Sequence, residues 1–180
     1  MRYQLCFSVA TEGTAARFLR AHAWNSGRVS LYEALLFVHV LAAAAWFGAA
    51  LLSAVLMEVA SRAQDSAWIV RFGEFDETLA KVLFIPSALL VLGSGFALVF
   101  EGPWSFTDDG WVLAGLLLLV ANFALGLGLI LPAGKKLAAH AASGASSSEL
   151  DDQLRKLRLL SWLDVGLLAA AIFVMTTKPF

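Results

Sequence analysis

The stretch Ala34–Met57 reads ALLFVHVLAAAAWFGAALLSAVLM, and His39 is its only ionisable residue. A run of this length and apolarity matches the roughly 20 residues that cross a hydrocarbon core of about 30 Å. Backbone amides in lipid have no water to bond, so such a run satisfies them internally, as a helix. Three further blocks repeat the pattern. Val82–Phe100 and Trp111–Ala133 carry no charge, and Leu159–Thr177 carries only Asp164. Packed into one soluble domain, four such runs would leave too little polar surface to cover it. The expected fold class is therefore all-α, a four-helix transmembrane bundle.

Composition agrees. The 180 residues are 59% hydrophobic and 15% charged, with a mean hydropathy of +0.75. Soluble domains run at about 45–50% apolar and about 25% charged. A net charge of −1 gives no reason to expect a nucleic-acid partner. The single cysteine, Cys6, excludes an internal disulfide and a cysteine-rich metal site. No P-loop, nucleophile elbow, paired-histidine zinc motif or dinucleotide loop occurs, so the balance leans away from an enzyme. Gly93-Ser94-Gly95 and Gly126-Leu127-Gly128 read as helix-packing features.

Charge placement orients the bundle. Trp104 and Trp111 bracket a short turn holding Glu101, Asp108 and Asp109 and no basic residue. The other two connections carry Arg62, Arg71, Lys81, Lys135, Lys136, Arg155, Lys156 and Arg158. The positive-inside rule places those connections, 60–81 and 134–157, in the cytoplasm. The acidic turn and both termini then lie outside a bacterial cytoplasmic membrane, which the chain crosses several times.

Residues 1–30 are expected to be a poorly ordered N-terminal extension, with Arg2, Arg17, Arg20 and Arg28 on the side where basic residues are disfavoured. Val29-Ser30-Leu31-Tyr32 makes a natural helix start, and residues 1–28 read as sequence upstream of the native beginning. Residues 31–180 form one membrane domain, with spans at about 31–59, 82–100, 111–133 and 158–177. Trp68, Ile69, Phe72 and Phe75 suggest a stretch lying on the inner membrane surface, and Ala141–Ser148 a flexible link before a helix capped by Ser148.

His39 is the sharpest candidate for chemistry. On a helix it shares a face with Ala42, Ala43, Trp46, Ala49, Ala50 and Ser53, a stripe small enough for a neighbour to approach closely. An ionisable residue inside a span is costly and invites a functional reading. The plainer alternative is a neutral histidine bonded to a neighbouring helix. Helix rise places His39 roughly 10–12 Å below the acidic side, level with Ser94 and its flanking glycines. Asn122 lies slightly deeper and Asp164 roughly 10 Å nearer the basic side. His39, Ser94, Asn122 and Asp164 are thus the candidate intramembrane polar site, with His39 as metal ligand. Ser94 and Asn122 serve equally as interhelical glue, and Asp164 could pair with Arg158. Glu58, Arg62 and Lys81 would make an ion cluster at the inner surface. Pro86 and Pro132 are expected to bend their helices and free backbone groups.

The segment His39-Val-Leu-Ala-Ala-Ala-Ala-Trp46-Phe47-Gly48 resembles the first-helix signature of bacterial membrane proteins related to the copper-resistance protein CopD. Ile85-Pro86 followed by Gly93-Ser94-Gly95, and Asp164 through Met175-Thr-Thr-Lys178-Pro179, fit the same pattern. Over roughly Leu31–Phe180 the chain looks most like the integral membrane family called domain of unknown function 2269. Wider relatives include copper-handling CopD proteins and HemJ-type protoporphyrinogen oxidases, whose haem is associated with a histidine of the corresponding helix. Only His39 matches their site residues. A bis-histidine haem needs a second membrane histidine, whereas His22 and His140 lie outside the spans, and Leu51–Met57 lacks the polar residues of the oxidases.

The resemblance implies CopD-like handling or transport of a metal ion or small solute, with copper as the implied metal. One alternative is an oxidoreductase holding haem b. Another is a structural subunit whose Ala/Gly stripes meet other membrane proteins. The expected partners are the lipid bilayer and either second copies of the chain or other membrane subunits. One four-helix monomer leaves little room for a solute path, so transport would call for an oligomer.

The charge asymmetry can be checked with Cys6 replaced by serine. A cysteine at Thr107 is expected to react with an impermeant maleimide in intact cells, and one at Ser143 only after permeabilisation. The opposite pattern would invert the orientation.

Overall fold

The computed structural model describes residues 29–63, 66–143 and 147–179. The expectation of a poorly ordered segment at 1–28 lies outside them. The chain divides into two units at Ala34/Leu35, and of the first only residues 29–34 are described. There the Ser30 amide donates to the Glu33 carboxylate at 2.9 Å and the Glu33 amide to the Ser30 hydroxyl at 3.2 Å. This reciprocal capping box satisfies two donors that a helix start would otherwise leave unpaired.

The described residues are helical without a strand: α1 Leu31–Ala63, α2 Ser66–Leu79, α3 Ile85–Glu101, α4 Gly110–Leu125, α5 Leu131–Ala142 and α6 Ser147–Thr177. A π-helical turn, Ala80–Phe84, joins α2 to α3, and a second, Gly126–Ile130, joins α4 to α5. The result is four continuous rods long and apolar enough to cross a membrane: Leu31–Arg62, Ala67–Glu101, Gly110–Ala142 and Ser148–Thr177. The protein is an all-α four-helix membrane bundle. Its outward faces carry Phe37, Val82, Leu117, Leu159 and Phe173, all well exposed. In water such surface would drive aggregation, whereas lipid is its natural solvent.

The rods outrun the bilayer. At about 1.5 Å per residue, the 33 residues of α1 extend about 50 Å against a hydrocarbon core of about 30 Å. The surplus lies at the end carrying the basic residues and has its own core. Met57, Ile69, Phe72, Leu137, Leu154 and Leu157 are buried together there. Ile69 and Phe72 therefore face helices rather than a membrane surface, which corrects the reading of 68–75 as an interfacial stretch. Their partners come from parts of the chain distant in sequence, invisible to local periodicity. Of the link expected at Ala141–Ser148, Ala141 and Ala142 belong to α5 and Ser147 and Ser148 to α6, and residues 144–146 lie outside the described ones.

Toward the middle, Trp46, Ala50, Ala54, Ala88, Val165 and Leu168 form a second core. The alanine stripe of α1 does face inward, with Ala42, Ala49 and Ala50 all buried. The ion cluster at the basic end differs in membership. Glu58 pairs with Arg62 at 3.0 Å and Arg158 at 3.6 Å, whereas Lys81 pairs with Glu77 at 2.9 Å. Lys81 sits on α2's rod four residues beyond Glu77, a spacing that favours a pair within one helix over one between helices. With Arg158 on Glu58, α6 is tied to α1, and Asp164 takes another partner.

The opposite, acidic end is closed by aromatic contacts. Trp104 and Trp111 stand edge to face, centroids 5.1 Å apart. Lys178 brings its Nζ to 3.9 Å from the Trp104 ring centre and 4.9 Å from that of Trp111. Lys178 ends α6 in the left-handed region, φ 46°, and Pro179 then prevents continuation.

Close helix contact is sharpest at Gly115, where a Cβ would collide with the Met175 Cε. A methionine tip can swing away, so Gly115→Ala is expected to lower stability by about 1 kcal/mol. Adding Met175→Ala removes the clash, so the double variant should lose less than the sum of the single losses. Reversible unfolding in mixed micelles measures both. Strict additivity would mean that the two residues do not touch.

Candidate functional site

Two prolines set the geometry of the interior. Pro86 and Pro132 have no N–H, and each follows a turn whose hydrogen bonds run five residues back. The Ile85 amide bonds the Ala80 carbonyl, and the Leu131 amide bonds the Gly126 carbonyl. At least one carbonyl in each turn is left without a helical donor. The extra residue in each turn also changes which side chains align. In an α-helix, positions four apart drift by about 40° per step. Across a π turn that drift is absorbed, and Asp76, Ala80, Phe84 and Ala88 all line one cavity, as do Asn122, Gly126 and Ile130.

That cavity has a volume of about 140 Å³. Its polar lining consists of Ser53 from α1, Asp76 from α2, Asn122 from α4, and Ser161 and Asp164 from α6. Trp46, Phe84 and Phe123 supply aromatic walls, and Trp46 meets Phe123 with ring centroids 5.5 Å apart. Among the described residues, the lining contains two carboxylates and no basic side chain. The Ser53 hydroxyl donates to the Asp76 carboxylate at 2.5 Å. The Asn122 amide donates to Asp164 Oδ1 at 2.9 Å and, more weakly, to the Asp164 backbone carbonyl at 3.3 Å. Asp164 and Asn122 are both buried. Among the described residues each carboxylate thus has one neutral side-chain donor, far short of what water offers a charged group.

A second cavity, about 210 Å³, lies toward the basic end, where Glu77 and Lys135 line it. Ser53, Asp76, Ile130, Leu131 and Ser161 line both cavities, so Asp76 and Ser53 stand on their common wall.

His39 belongs elsewhere. Its Nδ1 lies 3.0 Å from the Ser94 hydroxyl, which itself donates to the Leu90 carbonyl. A hydroxyl has one hydrogen, so Nδ1 must be the donor to Ser94 and Nε2 is the nitrogen left over. The ring lies against Gly95, where a Cβ would sit 3.1 Å from its Cε1. Neither cavity is lined by His39. Among the described residues, no three His, Cys, Asp or Glu side chains gather closely enough to hold a metal ion. His140 pairs with Gln153 at 2.7 Å near the basic end, and Met175 packs on Gly115.

The four residues singled out from sequence thus form two separate pairs, His39–Ser94 and Asn122–Asp164. Only the second reaches a cavity. Sequence reasoning missed Asp76, Ser53's partner, because it falls in the charged stretch between the first two apolar blocks. A signal was present: Asp76 continues the buried stripe Ile69, Phe72 at i, i+3, i+7 spacing, where an aspartate is out of place.

The Asn122–Asp164 pair can be tested by a double-variant cycle in micelles. Asn122→Leu should cost about 2 kcal/mol by stranding the carboxylate, and Asp164→Leu a similar amount by stranding the amide. The double variant should recover most of the loss. Full additivity would mean that the pair does not form.

No curated protein and no solved structure matches the chain. Residues 33–179 match the family described as predicted integral membrane protein (DUF2269), and with most of its length covered the chain belongs to that family.

Proposed function

We propose that the protein binds a small cationic solute within the bilayer and handles or transports it, with the Asp76–Asp164 cavity as its site. The observation carrying this reading is that two carboxylates line one interior cavity with no basic side chain among its described lining residues. An ionised carboxylate in a low-dielectric interior is costly unless paired, and here only neutral donors are built in. A bound cation would provide the missing charge. Helices broken near the membrane interior, with freed carbonyls, are a recurrent way to hold cations in transporters, and both π turns border this cavity. In the bacterial cytoplasmic membrane, with the basic end inside, the second cavity would face the cytoplasm.

This reading keeps the CopD-like expectation of ion or solute handling but moves its centre from His39 to the carboxylates. The cavity offers oxygen donors, whereas copper(I) favours thiolate and thioether ligands. A haem at His39 fits poorly as well. The imidazole lies against Gly95, neither described cavity is lined by it, and His140 is engaged at the basic end.

Thermal unfolding in nanodiscs, with a panel of inorganic and alkylammonium cations, tests the reading. At least one cation should stabilise the protein saturably, by about 1.4 kcal/mol at tenfold above its Kd. Asp76→Asn and Asp164→Asn should lose the response, and His39→Ala should keep it. Copper stabilisation that depends on His39 would overturn the proposal.

A further inference from the structure

The cavity is larger and more apolar than an inorganic ion needs. Its volume of about 140 Å³ is close to that of apolar cavities known to hold one benzene-sized molecule. Besides Trp46, Phe84 and Phe123, its walls include the aliphatic Ile130 and Leu131. Besides Trp46, the polar side chains among the described lining residues are Ser53, Asp76, Asn122, Ser161 and Asp164. An inorganic cation would leave most of this space empty or filled with water that the apolar walls cannot bond. A neutral apolar molecule would leave the carboxylates unpaired. The occupant that satisfies both halves has one cationic nitrogen and a compact apolar body.

Resting on the cation reading above, we propose that the cavity binds a small organic ammonium ion, its nitrogen between Asp76 and Asp164 and its hydrocarbon body against Trp46, Phe84 and Phe123. The carboxylates set charge selectivity, with Ser53 and Asn122 orienting them through the bonds already described. Aromatic faces add attraction for the cation and its polarised C–H groups. Asp76 stands on the wall shared with the basic-end cavity. A protonated amine entering from that end thus meets Asp76 before Asp164. The chemical class is a primary to tertiary ammonium with about six carbon atoms, the size set by the volume.

The test uses the full chain in nanodiscs at pH 7. Cyclohexylammonium chloride is titrated against tryptophan fluorescence and thermal midpoint, with cyclohexanol and potassium chloride as matched probes. The proposal expects saturable binding of cyclohexylammonium, with cyclohexanol weaker by about tenfold or more, because it brings no charge to the carboxylates. Asp164→Asn should weaken the amine by about tenfold or more, and Asp76→Asn gives the same readout should the first variant fail to fold. Phe123→Ala should weaken cyclohexylammonium while leaving any potassium response unchanged. Saturable potassium binding without cyclohexylammonium binding would overturn the organic-cation assignment and leave the cation reading standing. Equal affinity for cyclohexanol and cyclohexylammonium, or no binding of any probe, would overturn both.

Discussion

Pro86 and Pro132 impose the constraint on which the interior depends. A missing N–H inside a membrane helix cannot be repaired by water, so the chain must repair it by local geometry. Both rods do so in the same way, with a π-helical turn immediately before the proline-bearing segment. The two rods run in opposite directions, yet their irregular turns border one cavity. Regular helices would pack their side chains into such a gap. Here the widened turns hold Asp76, Phe84 and Asn122 on its walls, and the space persists.

Around that centre the bundle is conventional. Alanines on α1 bring the neighbouring helices close, Trp46 fills the middle, and Gly115 receives Met175. Beyond the bilayer the same rods continue into a core built from Ile69, Phe72, Leu137 and Leu157. This extension anchors α2, and with it Asp76, against α5 and α6. One face of the carboxylate site is therefore fixed from outside the hydrocarbon region. His39, bonded to Ser94 and seated on Gly95, joins α1 to α3 on the acidic side of the cavity.

The four spans and their inward stripe were legible because lipid enforces them residue by residue. A charge-free run must be a helix, and a face of alanines must be the packed one. Depth arithmetic set Asn122 and Asp164 on one polar line with His39 and Ser94 without pairing them, and helix rotation, which separates His39 from them, has no local signature. Asp76 was hidden for a different reason. It precedes the apolar block in a stretch rich in charge, and only the contacts of Ile69 and Phe72 with distant helices reveal that the stretch is buried. The prolines announced irregular helices, but a missing N–H alone does not say that the turn before it widens to a π turn. At Ser30 the spacing Ser-x-x-Glu carried the helix start outright, since the capping box is purely local.

Lys178 has an electrical consequence. Its ammonium is held on the Trp104 and Trp111 rings, the combination that settles at the level of lipid headgroups. That fixes how deep the last helix sits. Asp164 lies roughly fourteen residues along the same helix, about 21 Å from this anchor. In a core of about 30 Å it is about two-thirds of the way across, measured from the acidic side. A unit charge moving between the basic end and Asp164 therefore traverses only about a third of the transmembrane voltage, or about 0.8 kcal/mol per 100 mV. The remaining two-thirds lies across the tightly packed half that contains His39. Occupancy of the cavity would depend weakly on membrane potential, and passage beyond it more steeply.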